Sequence, residues 1–99
     1  MSGSNVISYT ENLQAARIAV IGLGYVGLPL AAEFGKHRSV VGFDINERRI
    51  SELKRGFDAT LEVSEQELSA ASSLVFTRDV ADIIDIDIYI ITVPTPVDD

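Results

Sequence analysis

Two kinds of apolar run alternate along the chain. Residues 18–21, 39–43, 74–77 and 88–93 are short, almost continuous and rich in β-branched side chains, the pattern of strands covered on both faces. Between them the apolar spacing lengthens. Gly27, Leu30, Ala31 and Phe34 recur at i, i+3, i+4 and i+7, which predicts a helix over about 25–36 with those four facing inward. Asn46, a good helix-capping residue, opens a second helix that ends near Gly56, with Ile50, Leu53 and Phe57 as its inward stripe. Ser64 followed by Glu67 is a capping box, starting a third helix with Leu68 and Ala71 inward. Residues 79–84 read as a brief helical link.

Strands alternating with helices predict an α/β domain built on a parallel sheet with helices on both faces. Right-handed crossovers give the strand order 3-2-1-4, a Rossmann-like half of a doubly wound fold. Its crevice lies between strands one and four. Residues 1–15 read as a polar, flexible leader and residues 16–99 as the domain itself.

The junction between the first strand and first helix carries chemistry. Gly22, Gly24 and Gly27 stand in the spacing G-x-G-x-x-G directly after Ile18–Ile21. The first glycine allows a tight turn, the second lets backbone approach a pyrophosphate, and the third lets the helix pack on the strand it has left. Amide N–H groups and the positive end of the helix dipole then hold the phosphate charge. Asp44 ends the second strand twenty residues beyond Gly24, where a carboxylate meets adenosine ribose hydroxyls. Together these predict a dinucleotide site over residues 22–27. Thr95, past the fourth strand, faces the same crevice. Asp44 favours NAD over NADP, because its carboxylate repels a 2′-phosphate.

Charge and composition narrow the partners. The net charge is −7, with eleven acids and three bases in residues 50–99 against four acids and five bases in residues 1–49. That balance argues against nucleic acid. The amino terminus lacks the basic and apolar regions of a signal peptide, and no apolar run approaches the roughly 20 residues that span a bilayer. The expectation is a cytoplasmic protein. There is no cysteine, hence no disulfide, thiolate metal ligand or thiol nucleophile within these residues.

Other candidate groups have plainer readings. His37, the one histidine, lies at the end of the sheet away from the glycine turn and reads as a solvated loop residue. Asp82, Asp85 and Asp87 precede a strand and read as solvent-facing acids, not a metal site. Arg48 reads as part of an exposed helix face, whereas Arg49 has either that role or a place flanking the adenosine of a bound ligand. A methyltransferase is a rival, but its first glycine usually follows an acid, and Val20 and Ile21 stand here. A non-catalytic nucleotide sensor and a purely structural module remain alternatives.

The segments G-L-G-Y-V-G-L-P, V-V-G-F-D-I-N and I-I-T-V-P-T-P resemble the amino-terminal domain of the UDP-glucose/GDP-mannose dehydrogenases over about residues 16–99. F-D-I-N-E-R-R-I with G-F-D-A-T-L-E-V-S is most similar to the UDP-N-acetylhexosamine 6-dehydrogenase branch, including the Vi polysaccharide type. The resemblance implies an NAD-dependent parent enzyme that oxidises the C6 alcohol of a UDP-sugar to a carboxylate for surface polysaccharide. It maps cofactor contacts onto Gly22, Gly24, Tyr25, Val26, Gly27, Asp44, Arg49 and Thr95. Glu62 lies where the family often has an acid near its crevice, but Val63 replaces the proline that follows it in the UDP-glucose branch. The family's catalytic cysteine, and the lysine and asparagine that assist it, belong to later parts of a longer chain. These residues are therefore expected to bind NAD without turning over a sugar nucleotide. The fourth strand is expected to leave an apolar edge, open to self-association or to cover by the leader.

Overall fold

The computed structural model describes residues 16–92. Four parallel strands, β1 (Ile18–Ile21), β2 (Val40–Phe43), β3 (Leu74–Thr77) and β4 (Ile88–Ile91), form one sheet in the order β3-β2-β1-β4. The expected order is the observed one. The register aligns Val20 with Gly42 and Ile90, and Gly42 with Phe76.

Alternation along each strand separates the two faces of the sheet. One face carries Val20 and Val40, packed with Leu28, Ala31, Ala32, Ile50, Leu53 and Leu68 from α1 (Gly27–Gly35), α2 (Glu47–Lys54) and α3 (Glu65–Ala70). This is the core. On the other face the crossover from β3 to β4 is a single 3₁₀ turn, Val80–Ile83, to which the Tyr89 hydroxyl donates at the Ile83 carbonyl. Helical structure thus lies on both faces, as expected, but unequally. Val75, Tyr89 and Ile91 on the thinly covered face are exposed.

Local signals account for the helices. Asn46 accepts from the Arg49 N–H at 3.0 Å and caps α2, while Ser64 and Glu67 complete both bonds of the capping box. The inward face of α1 is rotated from the predicted stripe. Gly27, Leu28, Ala31, Ala32 and Gly35 are buried, and Leu30 and Phe34 are only partly covered. Gly35 explains the rotation, because a Cβ there would lie 2.7 Å from the Leu74 Cβ. The helix end is pressed onto the loop before β3, so this glycine serves packing. Phe57, expected inward, is 43% exposed, since α2 stops at Lys54 and the chain turns through Gly56 at φ +82°.

Three sequence readings fall on other residues. The leader at 1–15 and Thr95 lie outside the described residues, as does the end of the predicted 88–93 strand.

Candidate dinucleotide site

The glycine turn is locked from three sides. Gly22 has φ +96°, a conformation L side chains avoid. A Cβ there would also lie 2.3 Å from the Thr92 carbonyl oxygen. At Gly27 a Cβ would sit 1.7 Å from the Gly22 carbonyl oxygen and 2.7 Å from the Thr92 hydroxyl. These two glycines are demanded by the fold.

Gly24 is different. A Cβ placed on it would meet no atom within 4 Å, and its φ lies outside the left-handed range. Nothing among the described residues requires glycine at this position. What a side chain would fill is the space over the turn, which suits the close approach of a ligand to the backbone.

The amide groups beside it are free for such a ligand. Gly22 N–H donates to the Phe43 carbonyl and Leu23 N–H to Asp44 Oδ2, but among the described residues the N–H groups of Gly24, Tyr25, Val26 and Gly27 have no acceptor. Val26, the N-cap of α1, makes no side-chain capping bond. Unpaired donors at a helix start, with the dipole behind them, form an anion site. Tyr25 and Val26 have exposed side chains at its rim.

Asp44 follows β2 directly beside the glycine turn. Its Oδ2 accepts from the Leu23 N–H and its Oδ1 from the Asn46 N–H, each at 2.9 Å. The carboxylate is therefore tied directly to the glycine turn. The structure brings together the predicted Gly22, Gly24, Tyr25, Val26, Gly27 and Asp44.

Arg49 reaches the same turn from beneath. It is only 9% exposed, with Nε donating to the Leu23 carbonyl at 2.8 Å and Nη1 to Asp58 Oδ1 at 2.7 Å. Nη2 is buried without a partner among the described residues. Arg48, by contrast, is exposed, as its plainer reading has it.

Asp58 was not singled out in the sequence, although the pattern Asp58-x-Thr60 is an Asx-turn signal. Its Oδ1 also accepts from the Thr60 hydroxyl at 2.7 Å and the Thr60 N–H at 2.9 Å. Its Oδ2 accepts from the N–H groups of Glu62 and Val63, each at 2.9 Å. Burial by itself raises the Asp58 pKa. Bonds from the Thr60 hydroxyl, the Arg49 guanidinium and the Val63 and Thr60 amides outweigh it and lower the pKa to about 2.

Thr92 is the second unforeseen residue. Its hydroxyl donates to the Gly22 carbonyl at 2.8 Å, tying the end of β4 to the turn. No sequence pattern marks it, because the contact is made only when β4 pairs with β1.

The remaining candidates are engaged elsewhere. His37 is exposed, with Nε2 3.4 Å from Glu33 Oε2. Asp85 pairs with Arg17 at 3.0 Å, Asp87 accepts from the Arg17 N–H, and Asp82 accepts from the Thr77 hydroxyl. Among the described residues no cluster of acids or histidines has the arrangement to hold a metal ion, and no helix is long and apolar enough to cross a membrane.

Comparison with known proteins agrees with this geometry. The chain is 59% identical over 83 residues to the UDP-N-acetyl-D-glucosamine 6-dehydrogenase of Pseudomonas aeruginosa, covering 84% of this chain and 20% of that protein. It is 58% identical over 85 residues to the enzyme of the same name from Salmonella typhi, covering 86% of this chain and 20% of the relative. The UDP-D-ManNAc dehydrogenase structure from Pyrococcus horikoshii superposes with a TM-score of 0.67 at 34% identity, covering 83% of this chain and 21% of that one. The chain thus spans about a fifth of the length of these curated relatives. The model of the UDP-glucose/GDP-mannose dehydrogenase family, NAD binding domain, matches residues 16–99. With a strand, an open glycine turn and an acid after the next strand in the required order, the chain belongs to the UDP-glucose/GDP-mannose dehydrogenase family, as its NAD binding domain.

Proposed function

We propose that residues 16–99 hold NAD for a nucleotide-sugar 6-dehydrogenase acting on a UDP-N-acetylhexosamine in surface polysaccharide synthesis. The observation that carries the cofactor reading is Gly24, a glycine that the packing of the described residues does not need, whose amide and the three that follow it are free. The pyrophosphate lies over Gly24, Tyr25, Val26 and Gly27, held by N–H groups whose direction the turn has already set. Asp44 accepts from the adenosine ribose hydroxyls with the oxygen lone pairs that Leu23 and Asn46 leave unused. Thr95 is assigned to the same site on the family resemblance alone. Arg49 contributes by holding the turn.

When bound, the dinucleotide supplies the two-electron acceptor for oxidation of the sugar alcohol, a reaction that takes two such molecules to reach the carboxylate. The residues here bind and orient. No thiolate is available in this sequence to capture an aldehyde intermediate, so these 99 residues by themselves bind the cofactor and do not oxidise sugar. The 59% identity to a UDP-N-acetyl-D-glucosamine 6-dehydrogenase supports the substrate branch.

The decisive experiment is calorimetric titration of the chain with NAD, NADP and S-adenosylmethionine. Saturable heat with NAD, weaker with NADP and absent with S-adenosylmethionine, is expected. No heat with any of them would remove the proposal.

The cellular setting proposed is the cytoplasm, and the proposed second partner is another copy of the chain through β4. Among the described residues that strand is an edge of the sheet, and Ile91 is 68% exposed. Light scattering should show dimers at high concentration, suppressed by Ile91→Lys; a strict monomer at every concentration would refute the contact.

A further inference from the structure

Resting on the reading of the glycine turn as the cofactor cradle, we propose that Asp58 is a positioning residue for that turn, acting through Arg49. A chain of bonds leads from one to the other. Asp58 Oδ1 accepts from Arg49 Nη1 at 2.7 Å, Arg49 Nε donates to the Leu23 carbonyl at 2.8 Å, and Leu23 N–H donates to Asp44 Oδ2 at 2.9 Å.

The Leu23 carbonyl is the decisive link. In a trans peptide the C=O and the following N–H point in opposite directions, and the described chain contains no cis bond. Arg49, drawing the Leu23 carbonyl inward, therefore turns the Gly24 N–H outward. Gly24 is one of the residues whose amide is free. Through the other end of the same residue the arrangement also fixes Asp44. A single guanidinium thus sets both the phosphate-facing donor and the ribose-facing acceptor.

Stability alone is a poor explanation for this pair. For Asp58 the bonds outweigh the cost of burial, but Arg49 is held with Nη2 buried and without a partner among the described residues, a cost that an apolar side chain there would not carry. What the pair supplies is placement. Asp58 is itself over-determined, since Thr60, Glu62 and Val63 all donate backbone N–H groups to it. Those bonds straddle Leu61, an exposed leucine at φ +59°, a strained conformation for such a residue. The loop is wound around the carboxylate, and the carboxylate aims the arginine.

The test compares Asp58→Asn, Arg49→Lys and, as a control destabilised in the same core, Leu68→Ala. Amide resonances and hydrogen exchange are read at Leu23 and Gly24, and NAD affinity by calorimetry. Arg49→Lys keeps the charge beside Asp58 but has no rigid fork to span two acceptors, so it stays informative if Asp58→Asn does not fold. Expected are shifted Leu23 and Gly24 resonances, faster Leu23 exchange and roughly 10-fold weaker NAD binding, the loss of one charge-assisted bond. Leu68→Ala should leave the two resonances and the affinity unchanged. If Leu23 and Gly24 stay unmoved in Arg49→Lys, or move equally in Leu68→Ala, Asp58 does not position the turn. The amide readout needs no ligand: failure of the unaltered chain to bind NAD would strike the functional reading, while the resonances still decide the positioning role.

Discussion

Thr92 donates its hydroxyl to the Gly22 carbonyl at 2.8 Å across 70 positions of sequence, and its carbonyl oxygen occupies the space a Cβ on Gly22 would need. The end of β4 is therefore fastened to the glycine turn. Thr92→Val keeps the shape and removes the bond, so the chain should lose about 1 kcal/mol of stability. NAD binding should weaken with it. Chemical denaturation and calorimetry together check this, and an unchanged Thr92→Val would show that the hydroxyl holds nothing.

Gly24 and Gly27 should separate binding from folding. Gly24→Ala places its methyl in open space, so stability should change by no more than about 0.5 kcal/mol while NAD affinity falls at least several-fold. Gly27→Ala drives a Cβ to 1.7 Å from the Gly22 carbonyl and should abolish the cooperative fold. Melting curves beside NAD titrations distinguish the two. Equal damage from both would mean that position 24 is structural.

Selection between NAD and NADP should reside in Asp44. With its carboxylate held at the turn by two N–H groups, it faces a 2′-phosphate with like charge. Asp44→Ala should narrow the preference for NAD about tenfold, a difference of about 1.4 kcal/mol. Competition titrations at fixed ionic strength measure it. An unaltered ratio would assign discrimination to another group.

Asp58 gives stability a defined acid limit. Its pKa drops from 3.8 in the unfolded chain to about 2 in the folded one, so on acidification the unfolded state takes up the proton first. This contribution is full above pH 3.8 and is lost as the pH falls towards 2. Glu67, lowered by its capping-box bonds with Ser64, acts in the same direction. Thermal midpoints should fall steeply from about pH 4 to 2. Asp58→Asn should cost about 3–5 kcal/mol at neutral pH, because it strands the Arg49 charge, and should flatten the acid limb. A parallel acid limb in that variant would show that other carboxylates govern it.

Much of the architecture was legible because it rests on local chemistry. Ser64 and Glu67 announce their helix by satisfying each other's amides, and the β-branched runs announce strands by composition. The predicted inward stripe of α1 missed Leu28, Ala32 and Gly35, since periodicity gives an amphipathic period but not the rotation that close contact with Leu74 imposes. Asp58 and Thr92 were missed for a related reason. Their partners lie 9 and 70 positions away, respectively, and a polar side chain in a loop or at a strand end looks the same in sequence whether it faces water or a buried donor.

By itself the sequence determined that a strand turns through bare glycines into a helix and that an acid follows at the next strand's end, because backbone sterics and apolar periodicity act over a few residues. Tertiary structure alone decided which glycine the packing leaves open. Whether a Cβ at position 22, 24 or 27 meets protein or open space depends on where Thr92 arrives from β4. It also decided that Arg49 lies beneath the turn, since only folding brings Asp58 and the Leu23 carbonyl within reach of one guanidinium.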